Sequence, residues 1–335
     1  MSVSFADAIR DATEGKDIAA DRCRALIGQM LLGTASDDDI GRLLLAIREK
    51  GETVEELVGA AGAMRDAMQT IDHDFDIVVD TCGTGGSQSG TFNISTAAAI
   101  VVAASGVAVA KHGNRRATST TGSADVLSEL GVPLDASAAD VSYRLQKHGI
   151  CFCFAPALHP AMKNVVAVRR RLGVPTLFNL LGPLCNPAGA THQLLGNGNL
   201  ETQRKIAGAI AQLGTRRTLV VCGGDGQDEV ALAGQTRVID VQPTGQTQFD
   251  WNAASFGLFP AGVEAMQAEN PVASANIIRR LLGGEPGPCR DIVVANAAAA
   301  LWMAGRVTDV RQGVALASES IDTGAATGLL RRMAS

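Results

Sequence analysis

The chain has 335 residues, of which 46% are hydrophobic and 19% charged, and its formal net charge at pH 7 is −5. This apolar content is enough for a buried core, so a disordered or fibrous chain is excluded. The acidic balance gives no global electrostatic reason to bind nucleic acid. The length fits two compact units or one large α/β unit.

The cysteines and the apolar runs indicate the compartment. Seven cysteines are dispersed and form no Cys-x-x-Cys pair, which argues against a disulfide framework or a zinc site. The acidic N-terminal segment does not have the pattern of a secretory signal. The longest apolar run, residues 97–110, is too short to span a bilayer. We therefore expect a soluble cytoplasmic protein.

Residues 1–70 predict helices only. Apolar residues recur at helical spacing after the acidic start at Asp37, and Gly51 supplies a stop. Thr53 and Glu56 have the spacing of a capping box, which opens a second helix extending to about Met68. Helices without a sheet usually pack as a small bundle.

From Phe75 onward, short apolar runs alternate with helical patterns. This alternation predicts a largely parallel sheet covered by helices on both faces. The predicted strands are 75–79, 107–110, 150–154, 193–195, 218–222 and 237–241. The predicted helices are one that begins near Ser95, then 123–130, 138–147, 161–172 and 201–213, and a helical C-terminal part with a capping signal at Asp291 and a stop near Gly305.

A loop with four glycines follows the first predicted strand, in the segment DTCGTGGSQSGTFNIST of residues 80–96. Glycine lets backbone N–H groups approach an anion closely, and a helix N-terminus attracts negative charge. Asn93, Ser95 and Thr96 stand where they can bind phosphate oxygens or a cation. The alternative is an ordinary turn with Asn93 or Ser95 as the helix cap. The loop matches neither a dinucleotide nor a Walker motif.

A cationic loop, KHGNRRATSTTGSAD of residues 111–125, follows the second predicted strand. Ligands of α/β proteins bind at the carboxyl ends of strands. Lysine offers phosphate a point charge, whereas arginine can hold two oxygens at once. The alternative is a solvated basic loop in which Ser123 caps the next helix.

Two further segments carry candidate site residues. Asp228 and Glu229 follow another predicted strand and are oxygen ligands suited to magnesium. An adjacent pair of this kind is otherwise a solvated helix start, but a cation is expected where carboxylates and phosphate meet. His159 and Arg169 lie in a segment where the arginine could pair with a substrate carboxylate or form part of a solvated face. Residues 179–187 are interpreted as a rigid structural turn.

Together these segments resemble those of the anthranilate phosphoribosyltransferase family. The matching stretches are DTCGTGGSQSGTFNIST, KHGNRRATSTTGSADVLSELGV, FAPALHPAMKNVVAVRRRLGVPTLFNLLGPLCNPA, GGDGQDEVALAG and RDIVVANAAAALWMAG. They cover nearly the whole chain in the family's order. The resemblance implies transfer of a phosphoribosyl group from phosphoribosyl pyrophosphate (PRPP) to the nitrogen of anthranilate, with release of pyrophosphate, in tryptophan biosynthesis.

The resemblance also implies an architecture of nucleoside phosphorylase/phosphoribosyltransferase type. A small all-helical domain of residues 1–70, joined by about 162–184, would accompany a large α/β domain of residues 71–161 and 185–335. The family is usually dimeric through the helical part, so a homodimer is expected. Magnesium is expected as two ions, one or both brought with PRPP.

Particular site residues follow from the resemblance. The residues implied for anthranilate are Gly83, Asn114, His159 and Arg169. Those implied for PRPP are Gly83, Gly86, Ser87, Thr91, Asn93, Ile94, Ser95, Thr96, Lys111, His112, Gly113, Asn114, Arg115, Ser119 and Ser123. Those implied for magnesium are Ser95, Asp228 and Glu229. Lys111 and Arg115 would stabilise the departing pyrophosphate.

The chain departs from the family pattern where GTGGD is usual, because Ser87 replaces the aspartate. A carboxylate beside the pyrophosphate is lost, which bears on metal and substrate affinity. Arg116 and Thr118 also replace commoner small residues. Three other functions are weighed: a phosphoribosyltransferase of this fold for another aromatic amine, a pyrimidine nucleoside phosphorylase, and a non-catalytic paralogue that binds nucleic acid. The cationic loop and Asp228–Glu229 argue against the second, and the acidic net charge argues against the third.

Overall fold

The computed structural model describes residues 4–85, 89–115 and 121–335. The strands in this part of the chain are β1 Val78–Gly83, β2 Ala108–Gly113, β3 Ile150–Phe154, β4 His192–Gly196, β5 Arg217–Gly223, β6 Thr236–Gln242 and β7 Gly245–Trp251. They form one sheet in the order β3-β2-β1-β4-β5-β6-β7. The pairs from β3 to β5 are parallel, whereas β6 and β7 are antiparallel additions at one edge.

Helices flank the sheet and precede it. They are α1 Phe5–Thr13, α2 Ala20–Leu32, α3 Asp37–Lys50, α4 Val54–Asp66, α5 Ile94–Ala104, α6 Ser123–Glu129, α7 Ala138–His148, α8 Ala155–Leu158, α9 Lys163–Leu172, α10 Phe178–Leu181, α11 Leu200–Leu213, α12 Pro271–Leu282, α13 Pro288–Met303, α14 Val310–Asp322 and α15 Ala325–Met333. Short 3-10 turns are Pro160–Met162, Gly182–Leu184, Ala253–Phe256 and Val263–Met266. None of the helices in the described ranges is long and apolar enough to cross a bilayer.

Helices cover both faces of the sheet, so the strand residues on both faces are apolar. Val79, Val109 and Leu219 belong to a core shared with α5, α12, α13 and the C-terminal helices. Cys82 and Val220 belong to a second core shared with α1–α4, α9 and α11. Burial of these aliphatic faces supplies the main stabilising free energy of the fold. The predicted architecture, a small helical part with a largely parallel sheet between helices, is confirmed.

Within the N-terminal helical part, helix α4 begins where the sequence predicts. The capping box at the start of α4 is present, with Glu56 N–H donating to the Thr53 hydroxyl and Thr53 N–H donating to the Glu56 carboxylate. Helix α9 packs against α2 and α3 although these helices are far apart along the chain, with 133 residues between Leu31 and Asn164. The Asn164 side chain fastens it by donating to the Leu31 carbonyl at 2.7 Å.

Three predictions about elements were wrong. The first strand is not 75–79 but β1, which starts three residues later and continues through Asp80 to Gly83 because those residues pair with β4. Asp291 is not a cap but lies in the first turn of α13, whose N-cap is Gly287. Strand β7 was missed, since it is mostly exposed and polar and therefore has no apolar run.

Candidate active site

One cavity of about 1190 Å³ opens where the parallel strands end. The carboxyl ends of β1 and β2 contribute to its lining, together with the residues directly after β4, the first turn of α5 and parts of α9 and α10. Ligands of open α/β sheets bind at this edge, where the strand order reverses direction. The structure thus brings together most residues that the sequence singled out, which are Gly83, Thr91, Asn93, Ile94, Ser95, Lys111, His112, Gly113, Asn114, Arg115, Ser123, His159, Arg169, Asp228 and Glu229.

Four predicted residues are not in this lining. Gly86, Ser87 and Ser119 lie outside the described residues. Thr96 is buried beneath the cavity, where its hydroxyl donates to the Asn93 side-chain oxygen. Thr96 therefore supports Asn93 rather than facing the cavity.

The first turn of α5 presents polar groups to the cavity. Asn93 is the N-cap residue, but its side chain makes no cap hydrogen bond. Its amide instead donates to the Thr121 carbonyl at 3.5 Å. Backbone N–H groups at this helix start are already bonded, that of Ile94 to a backbone carbonyl and that of Ser95 to the Glu229 carboxylate. An anion is favoured here by the positive end of the helix dipole.

Asp228 sits directly over two facing glycines, Gly83 at the end of β1 and Gly196 at the end of β4. A Cβ on Gly196 would lie 1.6 Å from the Asp228 backbone oxygen, and a Cβ on Gly83 would lie 2.5 Å from its carboxylate. No side chain larger than hydrogen fits at Gly196 without displacing Asp228. The two glycines therefore allow an acidic residue from the loop after β5 to enter the cleft between β1 and β4.

Lys111 is buried at the floor of the cavity. Its ammonium Nζ donates to the Thr81 carbonyl at 2.5 Å and to the Ser95 hydroxyl at 3.1 Å. Burial lowers the pKa of Lys111, and the charges of Asp80 and Glu229 oppose that shift. An ammonium has three protons to donate, so one remains for a ligand oxygen above it.

The set Ser95, Asp228 and Glu229 fits a magnesium ion that is shared with a phosphate. Burial, followed by the charge of Asp228, raises the pKa of Glu229 to about 8, so a positive charge is favoured there. Ser95 N–H donates to the Glu229 carboxylate, which brings the three residues together. No three His, Cys, Asp or Glu side chains in the described ranges form a complete metal site. Magnesium commonly takes one or two carboxylates and completes its shell with phosphate and water.

The cationic loop is fixed to the start of α6. A Cβ on Gly113 would lie 2.1 Å from the Ser123 hydroxyl and 2.8 Å from the Phe152 ring, so this position requires glycine. The Ser123 hydroxyl donates to the Asn114 carbonyl at 3.3 Å. Arg115 lies exposed at the cavity, paired with Asp125 at 3.0 Å. Exposed pairs of this kind are weak, so Arg115 can exchange Asp125 for a ligand anion.

His112 and His159 form a buried pair beside the loop. Their Nε2 atoms are 3.2 Å apart, and His112 Nδ1 lies 2.9 Å from the Gly182 carbonyl. Since Nδ1 of His112 must donate to that carbonyl, its Nε2 accepts from His159, which leaves both rings neutral. Burial lowers the pKa of His112 to about 4, and burial together with His112 lowers the pKa of His159 to about 3.

Arg169 lies at the far end of the cavity. Its guanidinium stacks over the Phe178 ring at 5.3 Å and makes a long hydrogen bond of 3.4 Å to the Asn179 side-chain oxygen. No carboxylate within the described residues forms a salt bridge with it, and burial lowers its pKa. A half-buried guanidinium without an acidic partner is a seat for a ligand carboxylate.

Sequence reasoning missed several lining residues. Asn179 and Gly182 belong to the segment interpreted as a structural turn, and Phe178 directly precedes it. All three line the cavity and contact Arg169 or His112. Asn197 also lines it and donates to the Thr84 hydroxyl at 2.8 Å. Its position directly after β4 is the signal that could have identified it, because ligands bind at strand carboxyl ends.

Family models match both parts of the chain. Residues 6–68 match the helical bundle domain of a glycosyl transferase family, and residues 76–327 match the a/b domain of a glycosyl transferase family. The chain therefore belongs to a class of glycosyl transferases that combine a helical bundle domain with an a/b domain.

Individual relatives define the family further. An anthranilate phosphoribosyltransferase from Rhodopirellula baltica is 59% identical over 333 residues, covering 99% of this chain and 97% of the relative. The crystal structure of the enzyme of that name from Thermus thermophilus has a TM-score of 0.92 and 40% identity, with 98% of each chain covered. The Saccharomyces cerevisiae enzyme in complex with PRPP and Mg has a TM-score of 0.90 and 26% identity, with 98% of this chain and 96% of that chain covered. The chain belongs to the anthranilate phosphoribosyltransferase family, which confirms the resemblance of its motifs.

Proposed function

We propose that this chain transfers the 5-phosphoribosyl group from PRPP to the nitrogen of anthranilate and releases pyrophosphate, as a step of tryptophan biosynthesis. The observation that carries this function is a single cavity with two separate seats for anions. One is Arg169, and the other combines Lys111 with the first turn of α5. Such a pairing suits an acceptor carboxylate at one end and a pyrophosphate at the other.

The residues of the cavity divide into two sets in this proposal. Anthranilate would contact Gly83, Asn114, His159 and Arg169. PRPP would contact the glycine-rich loop, including Gly86 and Ser87, the start of α5, and the cationic loop from Lys111 to Ser123, including Ser119. The support is their common position in one cavity, where described, and the family's motifs.

Magnesium would be held by Ser95, Asp228 and Glu229. We propose two ions, one or both arriving with PRPP. When bound, magnesium neutralises the charge that develops on the leaving pyrophosphate. The related yeast enzyme was solved with PRPP and Mg, which supports the presence of the metal but not the number of ions.

The reaction joins the amine nitrogen to the anomeric carbon as the bond from that carbon to pyrophosphate breaks. Negative charge grows on the departing oxygen, where the buried Lys111 and the nearby Arg115 can stabilise it. Arg169 would orient the acceptor through its carboxylate. Its amine is already neutral, so we propose that positioning dominates, an effect worth roughly 7–11 kcal/mol in favourable model reactions. The amine proton is lost after the bond forms, without one indispensable base.

Ser87 favours a second candidate, which is transfer to another aromatic amine. It replaces a family aspartate and marks the chain as atypical within the family. An enzyme of this kind would keep the PRPP seat and differ in its acceptor.

The deciding experiment follows anthranilate fluorescence in the presence of PRPP and magnesium, for the wild type and for Ser87→Asp. Magnesium-dependent loss of fluorescence in the wild type is the expected result, and it would make the aspartate dispensable. Activity of the variant alone would indicate a disabled or retargeted enzyme. If both folded proteins leave anthranilate unchanged, other aromatic amines become the candidates.

Assembly, domain division and compartment are also part of the proposal. We propose a homodimer through the helical part, where Leu32 is 77% exposed at the end of α2. We propose that residues 1–70 with about 162–184 form one domain and that 71–161 and 185–335 form the other, supported by the packing of α9 on α2 and α3. The seven unbridged cysteines support a cytoplasmic location. Light scattering of the wild type and of Leu32→Lys tests the dimer.

A further inference from the structure

Side chains bridge the gap that opens between β1 and β2 at the cavity. The two strands pair through residues 78–79 and 108–109. Immediately beyond, the Asp80 carboxylate accepts a hydrogen bond from the backbone N–H of His112 at 3.1 Å. A hydrogen bond from a side chain thus links β1 to β2 where their backbone pairing ends. It is made at His112, the residue that follows Lys111.

Asn186 completes this connection from the other side. Its side-chain N–H₂ donates both to the Asp80 carboxylate and to the Ala110 carbonyl, each at 2.8 Å. Its side-chain oxygen accepts from the Ala188 N–H at 2.9 Å. The turn after α10 is therefore fastened to β1 and β2 through one amide and one carboxylate.

The Asp80 carboxylate is 0% exposed. Burial raises the pKa of Asp80, and the charge of Lys111 is the foremost opposing effect. A buried carboxylate costs several kcal/mol unless it is paired and hydrogen-bonded, and such pairs seldom add net stability. Lys111 is held on the neighbouring residue, since its ammonium donates to the Thr81 carbonyl. We therefore relate the buried Asp80 carboxylate to the placement of Lys111 rather than to a gain in folding stability.

We propose that Asp80 is a positioning residue for phosphoribosyl transfer, which fixes the backbone at His112 and compensates the buried charge of Lys111 so that its ammonium faces the pyrophosphate. This inference rests on the proposed function, because it assigns Lys111 to the pyrophosphate of PRPP. Asn186 shares the role, because it holds the same carboxylate against the end of β2.

The test is a double-mutant cycle between Asp80→Asn and Lys111→Met. The quantities measured are the PRPP dissociation constant in the presence of magnesium, by calorimetry, and the thermal unfolding midpoint. Asp240→Asn is the matched control, since Asp240 is also buried in the sheet and loses an ion pair of 2.7 Å with Arg217. For the wild type, Asp80→Asn and Asp240→Asn, kcat and both KM values are measured as well.

The expected results distinguish a role of Asp80 in positioning Lys111 from a role in the stability of the fold. Asp80→Asn should weaken PRPP binding and lower kcat at least tenfold, whereas Asp240→Asn should change kcat less than twofold while lowering the unfolding midpoint. In the Lys111→Met background, Asp80→Asn should change PRPP binding less than twofold. It should also raise the unfolding midpoint there, because the carboxylate has lost its cation.

Equal losses from Asp80→Asn in both backgrounds would overturn the inference, and so would kinetics like those of the Asp240→Asn control. Failure of the proposed function looks different. A wild type that binds PRPP but leaves anthranilate unchanged refutes that acceptor, while the PRPP cycle still decides the role of Asp80.

Discussion

The buried pair of His112 and His159 should make the protein sensitive to mild acid. In the folded protein both rings are neutral. Protonating His112 would place two N–H groups against each other across the 3.2 Å contact, and protonating His159 would put a proton on its buried, unpartnered Nδ1. The unfolded chain has no such restriction, so it binds protons first as the pH falls. The contribution of the pair to stability is fully present above pH 6.5 and is lost as the pH falls towards 4 for His112 and towards 3 for His159.

The size of the effect follows from the lowered pKa values. His112 moves from 6.5 to about 4, and His159 from 6.5 to about 3. One pKa unit corresponds to about 1.4 kcal/mol, so His112 alone accounts for about 3 kcal/mol and His159 for about 5 kcal/mol. The two values do not add, because the charge of His112 is itself one cause of the lowered pKa of His159. We expect the pair to cost on the order of 3–5 kcal/mol in all.

Urea unfolding at a series of pH values between 7.5 and 4.5 measures this loss. The free energy of unfolding of the wild type should fall more steeply with pH than that of His112→Asn or His159→Asn. His73→Asn is the control, because His73 lies outside the cavity lining, with its Nε2 2.9 Å from the Ala188 carbonyl. If the two cavity variants show the same slope as the wild type, the rings are not held neutral by one another and the reasoning is wrong.

Three further predictions concern the cavity. Arg169→Ala should raise the anthranilate KM about 10- to 100-fold with a smaller change in kcat, since a charge-assisted hydrogen bond contributes about 1.5–3 kcal/mol; steady-state kinetics measure it. Replacing Asp228 and Glu229 together by Ala should lower kcat by about 100-fold or more at saturating magnesium, because transition-state electrostatics are lost. Gly196→Ala should destabilise the fold by about 1–3 kcal/mol, and it should raise the magnesium concentration for half-maximal rate by displacing Asp228.

Each of these has a control or a contradicting result. Arg171→Ala removes a neighbouring arginine that is 60% exposed and should leave the anthranilate KM unchanged. An unaffected rate in the double carboxylate variant would refute the metal assignment. Gly28→Ala introduces a Cβ with nothing within 4 Å, so it should preserve the magnesium response. A Gly196→Ala protein with unchanged stability would show that Asp228 can move freely.

The sequence predicted the local parts of the site well. The glycine-rich loop, the cationic loop and Asp228–Glu229 each follow an apolar strand, and the rule that ligands bind at strand carboxyl ends brings them together. The capping box at Thr53 was also readable, because both partners lie within one helical turn. The family's motifs supplied the reaction, which neither composition nor spacing could name.

The sequence failed where a residue breaks the pattern of its element. Asp80 and Thr81 interrupt the apolar run of β1, so the strand was predicted to end too early. They are tolerated inside the sheet because groups that are distant in the sequence form hydrogen bonds with them. Asn186, which donates to Asp80, lies 106 residues from it along the chain. The exposed strand β7 was missed for the opposite reason, since it buries too little apolar surface to form a run.

What the sequence determined by itself was therefore most of the elements, the loops that carry the chemistry and the family. The tertiary structure decided the neutral histidine pair, the glycines beneath Asp228 and the lack of an acidic partner for Arg169 among the described residues. The physical reason is the distance along the sequence over which each kind of interaction acts. Caps and hydrophobic periods depend on neighbours within a few residues, whereas the state of a buried polar group depends on partners that only folding brings near.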